Sequence, residues 1–344
     1  MPKITILGAG ITGMTIASQL PRDYDITIVG NDLPGDEMKP EYVSQWAGAI
    51  WLGTHDCSER EKQMQLGSLA DLWKIAQDYP ESSVRQIEMK EICDYGSLDK
   101  VWYRTKVPDF ELVANEDLPK GAKFGMKYKT VVLTPMTFLP WFRARLEQRG
   151  VAFKRLYVTS LGDLKGMGHD VLINATGFGA AKLLDTKELR IEPIRQQNIR
   201  IRKPGYNKLY IRRGENGYYS TAFSRQDGTI YIGGIKTLGI IDFTANPEHR
   251  KIIMARQHAN QPEVFPSPNV EDYEFICDHV GVFPVISQKN GGVCVEKKNV
   301  GSQKVVHAYG QEAGGYTFSF GLAREAVRLV QEYLAETPLS SSKL

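Results

Sequence analysis

The sequence predicts an α/β fold with an added β part: a parallel sheet flanked by helices, and a mixed β-sheet interleaved with it along the chain. Short β-branched runs lead into glycine-rich turns and helices at the start of the chain and again after residue 174. The intervening residues alternate between short strands and polar turns, which is typical of a mixed sheet. The 344 residues are enough for one large domain or two connected ones.

The first strand and helix carry a glycine motif. Residues 4–7 form a β-branched run that predicts a buried strand, and residues 11–20 predict a helix. Between them stand Gly8, Gly10 and Gly13 in the spacing Gly-x-Gly-x-x-Gly. Gly8 allows the turn, Gly10 lets the backbone approach a pyrophosphate, and Gly13 lets the helix pack closely on the strand. The motif therefore predicts a dinucleotide site, with the phosphates at the helix start, at Ile11 and Thr12.

The second strand, over residues 25–29, follows at the interval that this motif requires. An acidic residue at the end of this strand normally holds the adenosine ribose. Either Asn31 or Asp32 fits this role by position. Because both lie beside proline and glycine, they are equally interpreted as turn formers.

Composition and charge exclude several function classes. The net charge of +3 is too small and too dispersed to predict a nucleic-acid partner, and no apolar run is long enough to span a membrane. The four cysteines stand far apart, which favours reduced thiols in an intracellular protein. The six histidines show no metal-binding spacing, so no metal site is expected.

The remaining chain divides between the two predicted parts. A helix is predicted over residues 59–79, strands and polar turns over 84–132, a helix over 134–150, and a last helix over 323–333. Two further buried strands run into glycine turns, at Thr176 and Gly177 and at Gly314 and Gly315. The predicted boundaries are residues 1–60, 135–195 and 300–340 for the nucleotide-binding domain, 61–134 and 196–299 for a substrate domain, and 341–344 for a tail.

These pieces together resemble the D-amino-acid oxidase family of FAD flavoproteins along nearly the whole chain. The matching segments are 8–13, 32–34, 46–49, 174–179, 233–234, 280–281, 291–292, 305–310 and 314–316. The resemblance implies a Rossmann-like FAD-binding domain interleaved with a mixed β-sheet substrate domain. It also implies hydride transfer from a carbon beside an amine to flavin N5, with O₂ then reduced to H₂O₂. The implied FAD-binding residues are Gly8, Gly10, Ile11, Thr12, Gly13, Asn31, Asp32, Ser44, Ala47, Gly48, Thr176, Gly177, Gly314, Gly315, Tyr316 and Thr317.

The substrate end of the site departs from the family pattern. The family arginine that grips the substrate carboxylate is replaced by Phe283, and two further family arginines are absent, one of them replaced by Cys294. Tyr219, or alternatively Tyr218, fits the family tyrosine position, and Lys236 follows a Gly-Gly pair that precedes a tyrosine in some fungal members. Ala313, before the Gly314-Gly315 pair, completes the implied substrate set.

Three interpretations therefore stay open. The chain is a D-amino-acid oxidase whose substrate carboxylate is held by Lys236 or by another cation such as Arg225, because a carboxylate buried against Phe283 without a partner would be costly. Alternatively it is an amine oxidase whose substrate lacks the carboxylate, or a non-catalytic FAD-binding protein. A solvated lysine at a strand end is the structural alternative for Lys236.

The chain ends in Ser342-Lys343-Leu344, the tripeptide of peroxisomal import. It predicts a peroxisomal protein with the import receptor as a partner, besides its small-molecule substrate and O₂. The sequence leaves the oligomeric state open, and a homodimer is one alternative.

Overall fold

A computed structural model of the protein describes residues 1–186 and 188–336, which contain fourteen strands and six α-helices. The strands are β1 (Lys3–Leu7), β2 (Asp25–Gly30), β3 (Arg85–Cys93), β4 (Glu111–Leu112), β5 (Phe124–Val132), β6 (Ala152–Arg155), β7 (Val171–Asn174), β8 (Glu192–Arg202), β9 (Leu209–Arg213), β10 (Tyr219–Ser224), β11 (Thr229–Leu238), β12 (Glu274–Val285), β13 (Cys294–Val300) and β14 (Gln303–Tyr309). The helices are α1 (Ile11–Gln19), α2 (Val43–Trp46), α3 (Glu59–Asp78), α4 (Pro135–Gln148), α5 (Pro247–Asn260) and α6 (Gly315–Ala335).

The first sheet has six strands in the order β13-β14-β7-β1-β2-β6. Its neighbours run parallel except for the antiparallel pair of β13 and β14. Both faces of β1 are covered. Ile4 and Ile6 belong to the core that includes residues of α1 and α6, whereas Leu7 packs with Leu161 and Leu164 on the other side. A strand buried on both faces is what the continuous apolar run predicted.

The second sheet has eight strands in the order β12-β8-β11-β10-β9-β3-β5-β4. Its side chains alternate between two faces, as the period of a strand requires. One face packs on α5, with Ile199, Ala222 and Ile232 against Ile253 and Met254. The opposite face carries polar and aromatic side chains, and it is the face that bears on function.

The predicted fold class is confirmed, with one difference in the last helix. The sequence predicted a helix over residues 323–333, but α6 begins at Gly315. The glycine pair was interpreted as a turn that precedes the helix. Because Gly315 is the first residue of α6 and Phe318, Phe320 and Leu322 are buried in the core, the helix begins earlier than its glycines suggest.

The predicted domain boundaries stay a prediction. Two elements that lie mainly in the predicted substrate segments, β13 and α3, contact elements of the predicted nucleotide-binding domain. β13 begins at Cys294 and pairs in the first sheet with β14. Helix α3 packs against α6, with Ser68 Oγ accepting a hydrogen bond from the Gly321 N–H at 2.9 Å.

None of the helices in the described part of the chain is long and apolar enough to cross a membrane. The predicted import tripeptide lies outside the described residues.

Candidate active site

The carboxyl ends of four parallel strands meet at one edge of the first sheet. β1 ends before Gly8, β2 ends at Gly30, β7 ends at Asn174 and β14 ends at Tyr309. In open α/β sheets, ligands bind at this edge. The predicted nucleotide-binding residues of the first sheet therefore share one edge, although they come from distant parts of the sequence.

The glycine motif has the close contacts that its spacing predicted. Gly8 has a φ of +115°, and a Cβ there would lie 2.3 Å from the Ala175 carbonyl oxygen. A Cβ on Gly13 would lie 1.9 Å from the Gly8 oxygen. Only glycine fits at these two positions, because the turn, the helix and the neighbouring strand end are in direct contact.

Ser44 fixes the start of α1. Its hydroxyl accepts a hydrogen bond from the Ile11 N–H at 3.1 Å, and a Cβ on Gly10 would lie 2.7 Å from the same oxygen. The Tyr316 hydroxyl donates to the Ser44 carbonyl at 2.9 Å. Ser44 thus ties the start of α1 to the start of α6, the two helix ends predicted to contact the cofactor.

The second and third strand ends place the remaining predicted residues of this edge. Asn31 and Asp32 directly follow β2, where the Asp32 carboxylate pairs with Lys39 at 2.6 Å. Thr176 donates to the Asn174 side chain at 2.8 Å. Gly177 has a φ of +57° and open space where a Cβ would stand. Which of Asn31 and Asp32 holds the ribose stays a prediction.

These residues fit FAD. The backbone N–H groups of Thr12 and Gly13 donate to no atom of residues 1–186 and 188–336, so the helix start presents free donors to an anionic pyrophosphate. The side-chain oxygen of Gln45, beside Ser44, is enclosed and accepts no hydrogen bond from the described residues. A bound pyrophosphate at this edge would satisfy the free N–H groups of Thr12 and Gly13.

The segment after α2 lies between the two sheets. A Cβ on Gly48 would lie 2.8 Å from the Phe223 ring, and the Arg225 guanidinium donates to the carbonyls of Ala47 and Gly48. Leu52 N–H contacts the Thr317 hydroxyl at 3.4 Å. The predicted residues Ala47, Gly48 and Thr317 are therefore brought together where the sheets face each other.

Lys236 reaches the functional face of the second sheet because of a bulge. Gly233 pairs with Asn198 and Lys236 pairs with Gln196, so the register shifts by one residue between Gly233 and Ile235. A one-residue shift exchanges the two faces of a strand. As a result Lys236 shares the face of Gln196 and Asn198, and Ile235 packs against the core on the α5 side.

The four predicted substrate residues lie close together. The Lys236 ammonium is 5.7 Å from the centre of the Tyr219 ring and 5.9 Å from the centre of the Phe283 ring. Its nearest carboxylate is that of Glu312, at 3.5 Å. Ala313 is the next residue, in the short 3₁₀ turn Glu312–Gly314 that precedes α6. The start of α6 therefore meets the Lys236 end of β11.

Arg225, the other cation considered from the sequence, lies elsewhere. It follows β10, whose first residue is Tyr219, so strand geometry puts it about 20 Å away along the strand. The side chain is 5% exposed and is held by the Gly48 carbonyl and over the Tyr231 ring. Burial lowers the pKa of Arg225 to about 10. Its position assigns it to supporting Gly48, and of these two cations Lys236 is the one beside Tyr219.

The structure adds a charged group that the sequence analysis missed. Arg213 lies directly opposite Tyr219 on the neighbouring strand, and its Nε donates to Glu91 at 2.7 Å. Glu91 is completely buried and also accepts from the hydroxyls of Tyr103 and Tyr128. Strand alternation could have suggested an inward arginine here, but Arg212 and Arg213 are adjacent and only the register decides which one faces inward.

Cys294, where the family pattern has an arginine, lies in a different cluster. Glu188, Cys294 and Glu296 have ligand-type atoms within 4.8 Å of one another. Arg190 occupies the centre of this group and pairs with Glu188 at 2.6 Å and with Glu296 at 3.3 Å. Burial raises the pKa of the Cys294 thiol to about 12. The cluster is an ion-pair network centred on Arg190.

Comparison with known proteins is consistent with this geometry. The family described as "FAD dependent oxidoreductase" matches residues 3–329. The chain is 26% identical to a D-amino-acid oxidase of Fusarium vanettenii, with 96% of each protein covered. It is 28% identical to a D-aspartate oxidase of Talaromyces thermophilus, over 96% of this chain and 95% of that protein. Among solved structures, a glycine oxidase from Geobacillus kaustophilus has the same fold, with a TM-score of 0.74, 14% identity, and 96% and 95% of the two chains covered.

Proposed function

The chain belongs to the FAD-dependent oxidoreductase family, and on that premise we propose that it is an oxidase of D-amino acids. The family resemblance and the FAD cofactor, both predicted from the sequence, are confirmed. The proposal concerns the substrate: a D-amino acid whose carboxylate is held by Lys236, with the amine-bearing carbon facing the flavin.

The position of Lys236 carries this proposal. A cation beside Tyr219 and Phe283 compensates for the family arginine that Phe283 replaces. Without a cation here, a substrate carboxylate would lie against an apolar ring that is 8% exposed, at a cost of several kcal/mol. The Lys236 side chain is 36% exposed, and its ammonium group lies 3.5 Å from the Glu312 carboxylate. At this distance the ion pair is loose, so the ammonium group keeps N–H donors for a ligand.

FAD held by the residues of the first sheet's edge would supply the redox chemistry, a two-electron oxidation of the amine-bearing carbon with O₂ as the final electron acceptor and H₂O₂ as its product. The residues of this chain bind and orient. Lys236 holds the carboxylate, the Tyr219 ring and Phe283 form the walls against which the substrate lies, and Ala313 leaves space at the start of α6. Burial raises the pKa of the Tyr219 hydroxyl above its ordinary value, so it stays protonated and can donate a hydrogen bond.

Two other functions follow from the loss of the family arginine: an oxidase of amines without a carboxylate, and a non-catalytic FAD protein. Neither is favoured, because the relatives that match nearly the whole chain are D-amino-acid and D-aspartate oxidases. A screen for peroxide release over D-amino acids and their decarboxylated amines tests the proposal. Peroxide from D-amino acids supports it, peroxide from amines alone favours the second function, and no peroxide favours the third.

We also propose that the protein resides in peroxisomes, on the basis of the tripeptide Ser342-Lys343-Leu344. A fluorescent fusion at the N-terminus should colocalise with a peroxisomal marker and lose that location when the three residues are deleted. A punctate location that survives the deletion would contradict the import receptor as a partner. A homodimer stays a proposal, which sedimentation of the holoprotein tests.

A further inference from the structure

The residues around Arg213 form a buried polar cluster on the functional face of the second sheet. Glu91 accepts from Arg213 Nε at 2.7 Å, from Tyr128 at 2.7 Å and from Tyr103 at 3.0 Å. Both carboxylate oxygens are therefore engaged, and Glu91 is 0% exposed. His55 completes the cluster, with its Nε2 at 3.0 Å from the Tyr103 hydroxyl and 3.7 Å from Glu91.

The cluster fixes Arg213 and leaves one end of its guanidinium free. Nε is bound by Glu91, and Nη2 donates to the Gly53 carbonyl at 3.0 Å. Nη1 donates to no atom in the described part of the chain, and it is not among the enclosed polar atoms. Arg213 thus keeps a positioned donor group for a partner outside the protein.

Arg213 and Lys236 flank Tyr219 on the same face. Arg213 is the cross-strand partner of Tyr219 on β9, and Lys236 lies over the Tyr219 ring from β11 on the other side of β10. Two strand spacings separate the backbones of β9 and β11, about 10 Å. This spacing matches the length of a small amino acid, so one whose carboxylate lies at Lys236 can extend its side chain to Arg213.

The charge of Arg213 is already compensated. Burial raises the pKa of Glu91, but the charge of Arg213 and the hydrogen bonds from Tyr128 and Arg213 outweigh it and hold the pKa below its ordinary value. Burial and Arg213 lower the pKa of His55, against the effect of Glu91, so His55 is neutral at pH 7. The cluster of Glu91, Arg213, His55, Tyr103 and Tyr128 therefore has no net charge.

We propose that the Arg213–Glu91 pair determines side-chain specificity: it selects substrates whose side chain carries a neutral hydrogen-bond acceptor, such as a carboxamide, over those with a carboxylate or an apolar group. This rests on the proposed function. A carboxamide oxygen accepts from Nη1 and adds no charge, whereas a second carboxylate would bring an uncompensated negative charge next to the buried Glu91. An apolar side chain would leave Nη1 without a partner. Arg213 contacts the substrate, and Glu91 is a positioning residue.

The test compares kcat/KM for D-glutamine with D-glutamate and for D-asparagine with D-leucine, which differ little in shape. The wild-type protein should prefer the carboxamide in both pairs, by about tenfold or more. Glu91→Gln leaves Arg213 uncompensated, so the ratio of D-glutamine to D-glutamate should fall at least about tenfold. A fold change in this ratio separates a charge effect from a general structural defect.

The double variant Glu91→Gln with Arg213→Met keeps the cluster neutral and covers the case in which the single variant fails to fold. It should lose the preference for D-asparagine over D-leucine without gaining one for D-glutamate. The matched control is Asp94→Asn. It removes the partner of Arg212, which pairs with Asp94 at 3.0 Å from the opposite face of the same strand, so both ratios should be unchanged.

Unchanged ratios in folded, FAD-containing Glu91 and Arg213 variants would overturn this inference and leave the proposed function intact. A wild-type preference for D-glutamate over D-glutamine would overturn it as well. If the wild-type protein oxidises no D-amino acid, the proposed function fails first, and this inference fails with it.

Discussion

The ammonium group of Lys236 lies 5.9 Å from the centre of the Phe283 ring. Phe283 stands where the resemblance places the carboxylate-binding arginine, so a positive charge is retained beside the position from which the family's charge is missing. Because Lys236 comes from a different strand, the carboxylate would be approached from β11 instead of from β12.

Lys236→Met should lower kcat/KM for a D-amino acid by about 10- to 100-fold, because a hydrogen bond to a charged group contributes about 1.5–3 kcal/mol. The loss should lie mainly in KM, and the decarboxylated amine should be affected little. Lys203→Met, in the turn after β8, is the control. An equal loss for the acid and the amine would contradict the assignment of Lys236 to the carboxylate.

Phe283→Arg in the Lys236→Met background should restore part of the D-amino-acid activity, because it returns a bidentate donor to the family position. The same change should weaken binding of a decarboxylated amine, since it introduces a charge into an apolar wall. Steady-state kinetics of the single and double variants measure both effects. Amine kinetics that worsen while acid kinetics do not recover would count in favour of the amine-oxidase function.

Gly10→Val should yield protein with little bound FAD. The added side chain would meet the Ser44 hydroxyl, displace it from the Ile11 N–H and block the approach of the pyrophosphate. FAD released per chain on denaturation is the measurement. Gly166→Ala is a suitable control, because a Cβ there has open space and an ordinary backbone conformation. A full complement of FAD in Gly10→Val would refute the placement of the phosphates.

His279 should make the folded protein sensitive to acid. It is 3% exposed and packs on the rings of Trp46 and Tyr231, and burial together with Arg225 and Arg200 lowers its pKa to about 3. The unfolded chain binds this proton near pH 6.5, so stability is fully present above that pH and is lost as the pH falls towards 3. At pH 5 the loss from this group is about 2 kcal/mol.

His279→Gln removes that pH dependence. Its destabilisation relative to the wild-type protein should therefore be smaller at pH 5 than at pH 7.5, by denaturant unfolding of the holoprotein. His258→Gln, on α5 behind the second sheet, is the control. A destabilisation that is the same at both pH values would show that His279 does not carry the acid sensitivity.

The nucleotide-binding edge was predictable because its signals are local. Gly8 and Gly13 sit within one strand, turn and helix, and the contact of Gly13 with the Gly8 oxygen is made inside that unit, whereas the contact of Gly8 with Ala175 depends on β7. The beginning of α6 was not predictable from local signals. Gly314 and Gly315 resemble a turn, and only the burial of the residues that follow them in the core shows that the helix begins at Gly315.

The substrate face was only partly predictable because strand register decides it. Lys236 was identified from its place after the glycine pair, but the bulge that turns it, and not Ile235, towards Tyr219 depends on pairing with β8. Arg213 was missed for the same reason, since Arg212 and Arg213 are equivalent in the sequence until β9 is paired with β10. Glu91 comes from more than a hundred residues away, and no local pattern links it to Arg213.

The central claim is tested most directly by mixing the FAD-loaded protein with a D-amino acid in the absence of O₂ and following the visible absorbance of the flavin. A neutral D-amino acid should bleach the flavin, and its decarboxylated amine should do so at least about tenfold less efficiently, because only the acid binds Lys236. A flavin that is bleached equally well by the amine, or by neither compound, would contradict this claim.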